Sequence, residues 1–186
     1  MRIFSYALPA LMLCAFTGCQ TTSQETYLTL KNPGFEGASI NKIIPGWDHE
    51  EHAGPWNANA FEMIIDANSG PDGGNALRVT QIHKEEYGFV YQKVPVSTDA
   101  AGKTFIFSAQ VSTENAGPRG WVLVANLQSN NGILDQKRSS PIVGTRGWQK
   151  AEVMGIVPKG TAFIDVGFML HDSGSGRAAV PKLSVD

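Results

Sequence analysis

After residue 27, apolar and polar residues alternate with a period of two in a series of short runs. Residues 61–66, 76–80, 88–94, 103–111, 121–128, 148–157, 161–170 and 178–185 each have the length and the aliphatic or aromatic content of a strand. Between them, 68–75, 114–118, 129–132 and 172–176 are clusters rich in Gly, Pro, Asn, Asp and Ser, which read as turns. No segment sustains an apolar period of 3.6 residues, the helical spacing. No internal repeat and no linker to a second domain interrupts the series. Regularly spaced short strands with such turns predict an all-β fold, a single antiparallel β-sandwich.

The same alternation sorts the faces. Phe105, Phe107, Ala109 and Val111 point one way, and Ser108 and Gln110 the other. Leu123, Ala125 and Leu127 point inward, leaving Asn126 and Gln128 outward. Ile164, Val166, Phe168 and Leu170 point inward, with Asp165 outward. Leu77 and Val79 turn Arg78 and Thr80 out, and Val90 and Val94 turn Phe89 and Tyr91 out. One outer face carrying Arg78, Tyr91, Gln110, Asn126 and Gln128 would be polar with aromatic interruptions. Amides and guanidinium groups offer paired hydrogen bonds to hydroxyls, and rings stack on the apolar faces of sugars.

The first residues are of another kind. Arg2 precedes an apolar run over 6–16 with the length of a secretory h-region, ending in Phe16-Thr17-Gly18-Cys19. This resembles a bacterial lipobox, with Phe16 where Leu is usual. The resemblance implies a signal peptide over 1–18 and a lipidated, palmitate-bearing Cys19. A polar tether then runs to residue 26, and a domain spans 27–186. In the lipoproteins that this leader resembles, a residue other than Asp after the cysteine, here Gln20, implies the outer membrane of the cell envelope. The only other cysteine, Cys14, lies within the leader, so the domain is expected to hold no disulfide, no cysteine metal site and no thiol nucleophile. The chain has 15 Lys and Arg against 17 Asp and Glu, a balance that gives no nucleic-acid footprint.

Leu30-Lys31-Asn32-Pro33-Gly34-Phe35-Glu36-Gly37, followed by Ile44-Pro45-Gly46-Trp47, resembles the opening of carbohydrate-binding modules of families 4, 9, 16 and 22. These are galactose-binding-like jelly rolls. Further matches follow in family order. They are Gly73-Gly74-Asn75-Ala76-Leu77-Arg78-Val79, Tyr91-Gln92-Lys93-Val94, Gly102-Lys103-Thr104-Phe105-Ile106-Phe107-Ser108, and Gly144-Thr145-Arg146-Gly147-Trp148-Gln149 with Val157-Pro158. The resemblance implies a jelly roll and a polysaccharide or oligosaccharide ligand. In many members the Glu matching Glu36 shares a structural calcium with an acidic residue near the end of the chain. Here that place reads Val180-Pro181-Lys182-Leu183, which leaves an oxygen-rich site a ligand short and adds an opposing ammonium. No other cofactor is expected.

Among the rings, Trp47 and Trp148 match scaffold positions and Trp121 alternates with core leucines, so all three are expected to pack inside. Trp56 follows Gly54-Pro55 in a loop and can serve as a ligand platform or fold onto the end of the sandwich. Tyr91 is the main stacking candidate. His49-Glu50-Glu51-His52 is not the zinc-protease spacing and reads as a charged loop. Glu50, Glu51, Glu62, Asp66 and Asp165 supply carboxylates, but no spacing selects an acid–base pair. The expectation is therefore a non-catalytic, membrane-anchored lipoprotein. Tyr91 and Trp56 would stack on sugar, and Arg78, Gln110, Asn126 and Gln128 would bond its hydroxyls. The alternative from another class is a structural or assembly lipoprotein that presents the same sheet to a protein partner.

Overall fold

The computed structural model describes residues 26–52 and 59–186. Ten strands, all paired antiparallel, account for most of them. They are β1 (Thr26–Leu28), β2 (Asp48–Glu51), β3 (Phe61–Asp66), β4 (Ala76–Gln81), β5 (Tyr87–Pro95), β6 (Thr104–Ser129), β7 (Gly132–Arg138), β8 (Ile142–Ile156), β9 (Phe163–His171) and β10 (Ser175–Val185). Cys19 and Trp56 lie outside the described residues. No helix among the described residues is long and apolar enough to cross a membrane.

Strand β6 belongs to both layers. Its first half pairs with β10 on one side and β8 on the other, as in Phe107↔Leu183 and Phe107↔Val153. Its second half pairs with β9 and β7, as in Asn126↔Asp165 and Asn126↔Gln136. A first sheet therefore runs β3-β4-β10-β6-β8, with β1 continuing along the far end of β10. A second runs β2-β5-β9-β6-β7.

The turn expected over 114–118 is instead the crossing point inside this 26-residue strand. Register shifts between Val111 and Trp121, with Asn115 (φ 51°) and Gly120 (φ 62°) in the left-handed region, bend the strand from one layer to the next. The turn chemistry is present, but it makes a bend rather than a reversal.

The inward faces of the two sheets meet in one core of Phe61, Leu77, Phe105, Phe107, Trp121, Leu123, Leu127, Ile164, Phe168 and their neighbours. Alternation thus placed Val90, Val94, Leu123, Ala125 and Leu127 on the correct side. Trp121 is fully buried and stacks on Phe168, ring centroids 5.8 Å apart and planes within 9°. Gly176 of β10 lies against this ring from the opposite sheet; a Cβ there would fall 2.3 Å from Trp121 Cδ2. Only glycine lets the layers close at that height.

The Asn-Pro-Gly-Phe-Glu opening is explained by packing. Asn32 Nδ2 donates to the carbonyls of Glu36 (3.0 Å) and Pro45 (2.8 Å), and its Oδ1 accepts from the Glu36 amide at 2.6 Å. This seats Phe35 and Trp47 together at 5.3 Å over the end of the core.

Trp148 differs from expectation: it is half-buried and lies outside the core. The alternation that turns Ala151 and Val153 of β8 to the interior turns Trp148 outward.

Candidate functional site

The outer face of the second sheet is unusual for a surface, because its centre is apolar. Opposite residues of paired strands point the same way, so successive rungs can be read across β2, β5, β9, β6 and β7. One rung carries Glu50, Phe89, Met169 and Val122; the next carries Asp48, Tyr91, Gly167, Val124 and Arg138. A third carries Lys93, Asp165, Asn126 and Gln136, and a fourth Phe163 and Gln128. Phe89, Val122, Val124 and Met169 form a buried cluster separate from the main core, with Tyr87 and Tyr91 packed against it.

Tyr91 and Phe89 stack at 4.9 Å with planes 13° apart, which fixes the Tyr91 ring while leaving it half-exposed. Burial raises the pKa of the Tyr91 hydroxyl, and the carboxylates of Glu50, Asp48 and Asp165 push it further up. Burial likewise raises Tyr87, which bonds Glu50.

Polar side chains on the lower rungs hold one another. Gln128 Nε2 donates to Asp165 Oδ2 in a short contact. Gln136 Nε2 donates to Asn126 Oδ1 at 2.7 Å, and Arg138 Nε donates to Gln136 Oε1 at 3.1 Å. Asp165 is only 5% exposed, and its Oδ1 has no hydrogen-bond partner. Burial pushes its carboxyl above the ordinary value; the Lys93 ammonium opposes this, and Glu50 and Asp48 add to it.

The expected site residues separate into two groups. Tyr91, Asn126 and Gln128 share this face. Arg78 and Gln110 lie on the outer face of the first sheet, on β4 and β6 beside β10. Alternation tells outward from inward but not one outer face from the other. Arg78 there is held 2.8 Å from Asp66 and 3.3 Å from Glu62. Gln110 sits with Ser108, Lys150 and Lys182 beside a hollow of about 300 Å³.

Asp48, Gln136 and Arg138 are additions that sequence reasoning missed, and Glu50, which it counted only among carboxylates with no selected pair, joins them. Their signal was the period of two in 48–50 and 136–138, hidden because neither edge strand has an apolar face. Two of the larger hollows lie away from both groups. One, of about 960 Å³, lies around Val96, Ala101, Ile156 and Pro158; the other, of about 540 Å³, lies around Glu85, Glu86, Arg119 and Asp172. Neither gathers any of the expected residues.

The metal readings meet a different arrangement. Within His49-Glu50-Glu51-His52, Glu51 turns inward to an ion pair with Lys42 and accepts the Ala60 amide at 2.9 Å. His52 turns to Glu85 at 2.8 Å. Glu36 is exposed, and its Oε2 lies 3.5 Å from the Asn75 amide nitrogen, a donor where a cation would need oxygen. Among the described residues no group of three His, Cys, Asp or Glu side chains converges on one point.

No protein-family model matches the sequence, and no curated protein matches it. Solved structures do. A Stig cyclase, FisC from Fischerella sp. TAU, solved with an indole compound, superposes with a TM-score of 0.65 at 11% identity, over 88% of this chain and 98% of its own. A family 4 carbohydrate-binding module superposes at 0.58 with 13% identity, over 85% of this chain and 100% of its own. The CBM22-1 xylan-binding domain of Paenibacillus barcinonensis Xyn10C superposes at 0.54 with 13% identity, over 82% and 90%. The chain has the jelly-roll β-sandwich fold of these carbohydrate-binding modules, a fold that an enzyme also uses.

Proposed function

We propose that the protein binds a glycan, without catalysis, on the outer face of the β2-β5-β9-β6-β7 sheet, and that an N-terminal lipid on Cys19 holds it to the bacterial outer membrane. The observation that carries the binding reading is the half-exposed Tyr91 ring braced by Phe89 on an apolar floor. A braced ring loses little freedom when a sugar stacks on it. Asn126, Gln128 and Gln136 supply amides along one border for hydroxyls. Fold likeness to a xylan-binding domain supports the ligand class.

The non-catalytic part rests on the same face. It is a strand face whose polar groups are tied to one another rather than grouped around a nucleophile. Binding on such a wet surface is modest, resting on a few stacks and uncharged hydrogen bonds. The anchoring part rests on the lipobox-like Phe16-Thr17-Gly18-Cys19 and the short polar stretch that leads to β1.

The test is a glycan panel probed with the full chain in detergent, with and without calcium. Retention on a related set of polysaccharides is expected. A blank panel from folded protein would transfer the reading to a protein-binding lipoprotein.

A further inference from the structure

We propose that this face selects a glycan carrying protonated amino groups, with an ammonium seated over Tyr91 between the carboxylates of Asp48, Glu50 and Asp165. The proposal rests on the glycan-binding reading and names its substrate class. Asp48 is directly across from Tyr91 on β2, and Glu50 is across from Phe89, the ring on which Tyr91 stacks. Asp165 lies one rung away on β9, the strand on the other side of Tyr91. Acid therefore borders the ring from both neighbouring strands.

None of these carboxylates is within ion-pair distance of a described cation. Asp66, Asp172 and Glu152, by contrast, each have a basic partner between 2.7 and 2.8 Å away. Asp165 is 5% exposed; its Oδ2 accepts from Gln128, and its Oδ1, itself shielded from solvent, has no hydrogen-bond partner. Leaving such an oxygen unfilled is unfavourable, and so is its mutual repulsion with Asp48 and Glu50. A cation arriving between them relieves the repulsion. It is also attracted to the face of the aromatic ring.

The basic groups on the same face do not fill this place. Lys93 stands across from Asp165, but its Nζ lies 5.2 Å from the centroid of the Phe163 ring, on the rung beyond. Arg138 is on the far edge strand and bonds Gln136. His49 alternates to the other side of β2. A metal ion is a poor match, because the carboxylates are spread along the strands and do not converge on one point. Carboxylates spaced around a ring suit an organic ammonium attached to a stacking sugar.

The experiment titrates the full chain in detergent with a β-1,4-linked glucosamine hexamer, its fully N-acetylated counterpart, xylohexaose and oligolysine, at mildly acidic pH. The glucosamine hexamer is expected to bind roughly tenfold tighter than the N-acetylated one. The preference should shrink with salt. It should disappear in the Asp48→Asn/Glu50→Gln variant, whose exposed positions spare the fold, so that its melting temperature stays that of the parent. Equal or tighter binding of the N-acetylated hexamer or xylohexaose overturns the amino-glycan assignment and leaves the glycan reading standing. Binding of oligolysine alone overturns both in favour of a basic protein partner. Binding of none of the four removes the reading and the inference together.

Discussion

Gly167 lies directly across from Tyr91, and a Cβ on it would fall 2.7 Å from the Tyr91 Cβ and 2.2 Å from the Val90 carbonyl oxygen. The contact involves backbone, so no side-chain rotation can relieve it. The absence of a side chain on β9 therefore determines where the ring on β5 can lie. Gly167→Ala should push the two strands apart, costing about 1–3 kcal/mol of stability. It should weaken glycan retention by more than Asn126→Ala does. Denaturant melts and affinity electrophoresis on both variants check this; unchanged retention in Gly167→Ala would mean that the position of Tyr91 is immaterial.

Trp121 makes the opposite case, a large ring with no part in the face. Trp121→Ala leaves a void beneath Phe168 and beside Gly176 and should cost about 3–5 kcal/mol. At a temperature where the variant is still folded, its glycan affinity should match that of the parent. Loss of affinity in folded protein would show that the core ring reaches the ligand.

The buried carboxyl of Asp165 predicts a pH slope. Its native pKa is raised, chiefly by burial, so the folded chain keeps a proton that the unfolded chain has already released. Stability contributed by this group is therefore full at low pH and falls as pH rises from the ordinary carboxylate range through the native pKa. Asp165→Asn should flatten that part of the curve and raise the melting temperature at neutral pH, with little change in acid. A variant that melts lower than the parent at neutral pH would show that the charged form is the one the fold favours.

Calcium should leave the domain unaffected. Glu36 faces the Asn75 amide, and Lys182 and Pro181 stand where the resembling modules place acid. Calcium followed by a chelator is expected to leave the melting temperature in place. A rise of several degrees with calcium would reveal a site and its binding energy.

Anchoring is tested by labelling. Cells fed a radiolabelled fatty acid should incorporate it into the full chain, and Cys19→Ser should abolish the label and release the protein from the membrane fraction. Label retained in the variant would place the lipid elsewhere.

Much of this was legible in the sequence. The alternation around Val90 and Tyr91, and around Leu127 and Gln128, assigned inside and outside correctly, because a strand buried on one face has no other register. What alternation does not encode is the sheet to which a strand belongs. Arg78 and Gln110 face outward as expected but on the other layer from Tyr91, since pairing with β10 is a long-range choice. Strand β6 was hidden because Asn115 and Gly120 are turn residues used for a bend. Strands β2 and β7 were hidden because edge strands with two polar faces resemble loops. Asp48, Glu50, Gln136 and Arg138, which border the proposed site, lie on those strands, so their place on the face with Tyr91 went unseen with them.

The most direct measurement is glycan retention and melting temperature of Tyr91→Ala, taken side by side. The ring is half-buried against the small outer cluster and lies outside the main core, so its removal should abolish retention while the melting temperature moves by no more than a few degrees. A large drop in melting temperature with retention intact would contradict the account, because it would make Tyr91 part of the scaffold and leave the outer face without its platform.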